Sequence, residues 1–156
     1  MEAEDAVGRL RLHNEDILVI GLGRFGGAVA TELHRLGNRV TAVELDHELA
    51  ESYLGRVGKI VQGDATSVTF VEELRPQDFS AAVLGVGSSV ETSVLAAVNL
   101  IDAGCPKVWA KAVSPEHARI LDRIGVQQVL SPSRCSRRRR PSASRSSSRR
   151  SAASTA

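Results

Sequence analysis

Short aliphatic runs recur through the first 130 residues, separated by longer stretches of helical periodicity. Ile17-Leu18-Val19-Ile20 is the first run, continuous in β-branched and aliphatic residues and closed by Gly21. A run without a polar alternate has no wet face, so it predicts a strand covered on both sides, as in a parallel sheet between helical layers. A helix over 26–36 is predicted next, because Val29, Leu33 and Leu36 recur at helical spacing and Gly37 is placed to end it. The alternation then repeats. Further strands are predicted at 40–43, 59–62, 81–84, 108–110 and 128–130. Helices are expected between them at 47–54, from a Thr66 cap to 74, from Ser88 or Ser89 to 103, and from a Ser114 cap with Pro115 in its first turn to 124.

Strict alternation of strand and helix requires right-handed crossovers, which place helices on both faces of a parallel sheet. The expected fold class is α/β, a three-layer Rossmann fold with a six-stranded parallel sheet in the order 3-2-1-4-5-6. Residues 1–14 are polar and aperiodic apart from Leu10 and Leu12, which predicts a flexible leader. The folded domain is expected over 15–132. Beyond Leu130 no aliphatic residue is larger than alanine, so residues 133–156, rich in Ser and Arg, are expected to be disordered. The abrupt change of composition near Ser131 suggests a frame-shifted or otherwise aberrant ending.

Composition narrows the function. A chain of 156 residues with 42% apolar content supports one ordinary core and leaves no room for a second catalytic domain. The net charge of +2 conceals a division, since residues 1–130 carry 12 Lys/Arg against 18 Asp/Glu while the remainder carries eight Arg and no acid. Cys105 and Cys135 stand in different regions without a ligand-like spacing, as expected for a reducing cytoplasm, and no metal site is expected. No apolar run approaches the roughly 18–20 residues of a membrane helix, and the acidic start is unlike a signal peptide, so any membrane role is expected to be indirect.

The chemistry concentrates at Gly21-Leu22-Gly23-Arg24-Phe25-Gly26, a G-x-G-x-x-G pattern between a predicted strand and a predicted helix. Gly21 permits the tight turn, Gly23 admits a phosphate close to the backbone, and Gly26 lets helix and strand pack closely. The helix start then offers amides and a positive dipole end to a pyrophosphate. Glu44 ends the second strand 18 residues after Gly26, where its carboxylate can accept from ribose hydroxyls. A 2′-phosphate would be repelled there, which disfavours NADP and favours NAD(H), ATP or ADP. Arg24 is placed either to fold onto distal phosphates or to stay solvated. Asp64 either faces the adenosine or an ion, or caps with Thr66, the latter being preferred. Gly85 follows the fourth strand beside the switch point, where it leaves room for adenine or ribose or simply links strand to helix.

These segments, together with Gly-Asp-Ala-Thr, Gly-Val-Gly and Trp-Ala-Lys-Ala in the same order, resemble the RCK N-terminal (TrkA-N, K⁺-transport nucleotide-binding) domain over residues 15–132. Within that family the chain looks most like the cytosolic subunits of Trk/Ktr-type bacterial potassium uptake systems. The resemblance implies a nucleotide-binding regulatory subunit at the inner face of the cell membrane, gating a membrane-embedded potassium transporter. It also implies homodimers or rings of this chain where the C-terminal part is intact. By position it places Arg24 at distal phosphates, Glu44 at the ribose, Asp64 and Ala65 on the adenine side, and Lys111 at a phosphate; on chemistry alone Lys111 reads as a solvated strand end. Ser133 stands where the family pattern has an acidic residue.

The rival class is a fragment of an NAD-dependent oxidoreductase, which needs a substrate domain and a positioned acid or base. His13, His34, His47 and His117 are expected on the solvated surface, and Tyr53 has no lysine at a catalytic spacing, so no catalytic residue is assigned. The Arg-rich tail raises nucleic-acid or anionic-membrane binding, but it lacks interleaved aromatics, and no nucleic-acid partner is expected.

Overall fold

A computed structural model describes residues 2–86 and 89–130. Its strands are β1 (Asp16–Ile20), β2 (Arg39–Glu44), β3 (Lys59–Gln62), β4 (Ala81–Leu84), β5 (Val108–Lys111) and β6 (Gln128–Leu130). They form one sheet in the order β3-β2-β1-β4-β5-β6, parallel at every pairing. The helices are α1 (Glu2–Leu10), α2 (Arg24–Arg35), α3 (His47–Ser52), α4 (Val68–Leu74), α5 (Val90–Asp102) and α6 (Pro115–Ile124), with a 3-10 turn at Pro76–Asp78. The expected Rossmann architecture is therefore present.

The alternation along β1 divides the core. Ile17 and Val19 face the layer built on α1 and α2, with Val29, Leu33, Val40 and Val83. Leu18 and Ile20 face the opposite layer, with Val71, Ala97, Leu100 and Leu121 of α4, α5 and α6. Ile17, Leu18, Val19 and Ile20 are all essentially fully buried, which is why that run shows no polar alternate.

Two expectations about local structure require correction. The flexible leader over 1–14 is instead a helix for most of its length: Ala6, Val7 and Leu10 of α1 are buried in the same layer as α2. The following segment is also tied down. The Asn38 carboxamide accepts from the Glu15 amide (3.0 Å) and donates to the Leu12 and Leu33 carbonyls (3.0 and 3.1 Å). Thr66 does not cap the helix before Leu74; Ser67 does, accepting from the Phe70 amide at 3.4 Å. Gly37 ends α2 as expected, at φ +88°, with the Asn38 amide donating back to the Leu33 carbonyl (3.1 Å). Gly87, Ser88 and the Ser/Arg tail with Cys135 lie outside the described residues.

Candidate functional site

The sheet order reverses between β1 and β4, so the connections leaving these neighbouring strands run to opposite faces and open a crevice at their C-terminal ends. A cleft of about 540 Å³ occupies that crevice. Gly21 turns the chain at its floor with φ +88°, a conformation a side chain would oppose, and its amide donates to the Val43 carbonyl of β2 at 2.8 Å. The turn delivers the start of α2 to the cleft. Gly23 is the helix N-cap and has no side chain to satisfy the first-turn amides, and no acid occupies that turn. The amides of Arg24, Phe25 and Gly26 thus carry the positive end of the helix with no side-chain cap on them.

Glu44 faces this turn from the end of β2. Its Oε2 accepts from the Leu22 amide at 2.7 Å, and its Oε1 accepts from the amides of Leu45 (2.9 Å) and Asp46 (3.0 Å). A carboxylate offers about four acceptor positions, so one remains for a ligand hydroxyl. Glu44 therefore serves the fold as well as the cleft, a role its sequence position did not disclose. Glu44→Ala is expected to lower stability by about 1–2 kcal/mol, by orphaning amides, and to weaken nucleotide binding at least about tenfold. Urea melts and a titration of the same variant measure the two effects separately.

Of the ten residues singled out from the sequence, Gly21, Gly23, Arg24, Phe25 and Glu44 line the cleft on one side. Asp64, Ala65, Gly85 and Lys111 also line it. Gly26 is the exception: it sits behind the turn, where its α-carbon packs against Gly85 and the Gly21 carbonyl. Lys111 places its ammonium 5.1 Å from the centre of the Phe25 ring, which brings a cation from β5 across to α2. Asp64 does not cap α4, whose N-cap is Ser67. The Asp64 Oδ1 accepts from the Thr66 hydroxyl (2.7 Å) and amide (2.9 Å), and the two bonds, the hydroxyl's first, hold the carboxyl below its usual range. Among the described residues no cluster of His, Cys, Asp and Glu could hold a metal.

Sequence reasoning did not assign Leu45, Leu49, Val86, Thr92 and Val113 to the site; they line the cleft as well, beside Ile20, Val43 and Gly63. It also misplaced a histidine. His13, His34 and His47 are exposed as expected, but His117 is 1% exposed and has both ring nitrogens engaged. The signal was present: His117 precedes Leu121 and Ile124 at helical spacing and so shares the inner face of α6.

The residues present fit a nucleotide: open amides for phosphate, Arg24 and Lys111 as cations, and an acceptor for a sugar. The sequence model of the TrkA-N domain matches residues 17–132. The chain belongs to the TrkA-N domain family. A similar protein is the Ktr system potassium uptake protein A of Bacillus subtilis, 32% identical over 122 residues that make up 78% of this chain and 55% of that protein. This TrkA-N chain spans about half the length of the curated relatives it matches. A solved NAD(P)-binding domain of an exopolyphosphatase-related protein from Archaeoglobus fulgidus shares the fold, with 23% identity, a TM-score of 0.69, and coverage of 76% of this chain and 88% of that one. So does a structure of the GsuK channel bound to NAD, at 19% identity, a TM-score of 0.65, and coverage of 82% and 25%. No helix among the described residues of this TrkA-N domain is long and apolar enough to cross a membrane.

Proposed function

We propose that this TrkA-N domain is the nucleotide-binding part of a cytoplasmic regulatory subunit, peripheral to the inner face of the cell membrane, that gates a membrane-embedded potassium transporter. The single observation that carries the reading is the cleft at the strand switch, where the uncapped start of α2 confronts the Glu44 carboxylate across the glycine turn. The named Ktr relative supplies the transport context. The ligand is NAD(H) or ATP/ADP: Arg24, Lys111 and the helix start take the phosphates, Glu44 takes a ribose hydroxyl, and Asp64 and Ala65 flank the base. A 2′-phosphate beside Glu44 would set anion against anion, so NADP is excluded from the reading. Copies of the chain are proposed to assemble as a homodimer or ring, and nucleic acid is not a partner.

A regulator requires binding without turnover. Among the described residues the cleft lining includes no histidine or tyrosine, and His117 is committed elsewhere. Saturating ADP or NADH at about 100 times Kd is expected to stabilise the chain by about 2.7 kcal/mol. The same samples, assayed optically for NADH oxidation with a panel of carbonyl substrates, are expected to show none. Hydride transfer at enzymatic rates would move the chain to the oxidoreductases, and absence of stabilisation by any adenine nucleotide would refute the proposal.

A further inference from the structure

The buried polar side chains outside the cleft are few, and three of them converge on its rims. Among the described residues these are Asn38, Ser93, Asn99 and His117. Asn38 serves the opposite end of the sheet. Asn99, on α5, donates from Nδ2 to the Ala65 carbonyl at 3.0 Å, which fixes the β3–α4 rim. Ser93, one α5 residue past the cleft-lining Thr92, meets His117 Nε2 at 3.1 Å. The other ring nitrogen, Nδ1, accepts the Val113 amide at 3.2 Å, and Val113 lines the cleft two residues after Lys111.

An amide can only donate, so Nδ1 carries a lone pair and the proton of the neutral ring is on Nε2, donating to Ser93. We propose that neutral His117 is a positioning residue for the nucleotide cleft, holding the Lys111–Val113 rim through the Val113 amide while the bond from Nε2 to Ser93 fixes the orientation of the ring. The inference rests on the nucleotide-binding reading for its functional consequence. Protonation puts a hydrogen on Nδ1, so donor faces donor and the rim loses its anchor. Burial is the sole cause holding the imidazole below its ordinary 6.5. Glu91 and Asp102 of α5 and Glu116, Arg119, Asp122 and Arg123 of α6 are all exposed; Lys111 is half-buried at the end of β5, and none of these charges shifts the ring. The folded state therefore binds this proton less readily than the unfolded chain, and the stability due to the neutral ring is full above about pH 6.5 and is lost as pH falls below it.

Two variants separate the ring nitrogens. His117→Asn keeps an acceptor at the Nδ1 position and gives up Ser93, whereas His117→Gln reaches toward Ser93 and gives up Nδ1. The test measures Val113 amide hydrogen exchange without ligand, and ADP affinity from about pH 5 to pH 8. In the wild type and the Asn variant the Val113 amide is expected to be protected at neutral pH, and in the Gln variant to exchange at least about tenfold faster. The wild type is expected to lose ADP affinity more steeply than the Asn variant as pH falls through the lowered pKa of the folded ring, and the Asn curve records the titration of ADP itself. Equal exchange in the Gln and Asn variants, or parallel pH curves for wild type and Asn, overturns the proposal. If ADP binds to none of the proteins while Val113 exchange divides them as expected, the rim anchor stands and the nucleotide reading fails.

Discussion

Replacing Gly26 with alanine is expected to cost about 3 kcal/mol or more and to lower the melting temperature by roughly 10 °C. An added Cβ would overlap the Gly21 carbonyl oxygen and come within 3.3 Å of the Gly85 α-carbon. Both obstacles are backbone, and neither can swing aside as the end of a flexible side chain can. The Gly21 turn is itself fixed, with its amide on Val43 and the next amide, of Leu22, on Glu44. Relief therefore demands that α2 lift away from β1 and β4, which opens the layer in which Val29 and Leu33 are buried. Nucleotide binding is expected to fall with the loss of the turn. Calorimetry of the variant checks the first effect; a melting temperature within a few degrees of wild type would show that α2 does not rely on this contact.

Gly23→Val is expected to do the reverse, leaving the melting temperature within about 4 °C of wild type while weakening ADP or NAD binding at least about tenfold, or 1.4 kcal/mol. Gly23 has φ −63° and ψ −167°, a backbone conformation open to any residue. Its Cβ would meet nothing within 4 Å, because it would project into the cleft. Valine is a poorer N-cap than glycine, and that is the only cost to the fold. Two glycines three residues apart thus divide the work. Gly26 makes the turn compact, and Gly23 keeps its approach clear. Isothermal titration with each variant distinguishes them, and undiminished affinity for Gly23→Val would place the ligand elsewhere.

The strands were legible because a sheet covered on both faces leaves a local trace. Ile17–Ile20 and Ala81–Leu84 are apolar throughout and bounded by glycine, and every strand falls where its run predicts it. The glycine spacing likewise located the turn, and Glu44 was identifiable from its distance along the chain. Features set by distant packing were not legible. In α1 the three buried positions follow acids and are interrupted by Gly8 and Arg9, so only docking against α2 reveals its inner face. The start of α2 precedes its expected position by two residues, Arg24 and Phe25, because Gly23 rather than Phe25 takes the N-cap position. Thr66 and Ser67 are equally good caps in sequence; Asp64 engages Thr66 and leaves the cap to Ser67. Asn99 and His117 carried a readable signal, a polar residue among apolar neighbours on an inner helix face, but their partners belong to other elements.

The account depends on main-chain amides at the start of α2 receiving a nucleotide phosphate. Backbone amide NMR spectra of the wild-type chain, recorded during titration with ADP and then NAD, test it most directly. At least one of the two ligands is expected to shift the amides of Gly23, Arg24, Phe25 and Gly26 together and to saturate at one equivalent per chain. If those amides stay unmoved by both ligands up to about a millimolar, a range that covers weak ligand affinities, or if the largest shifts fall away from the cleft, the phosphate is not held there and the proposed function is contradicted.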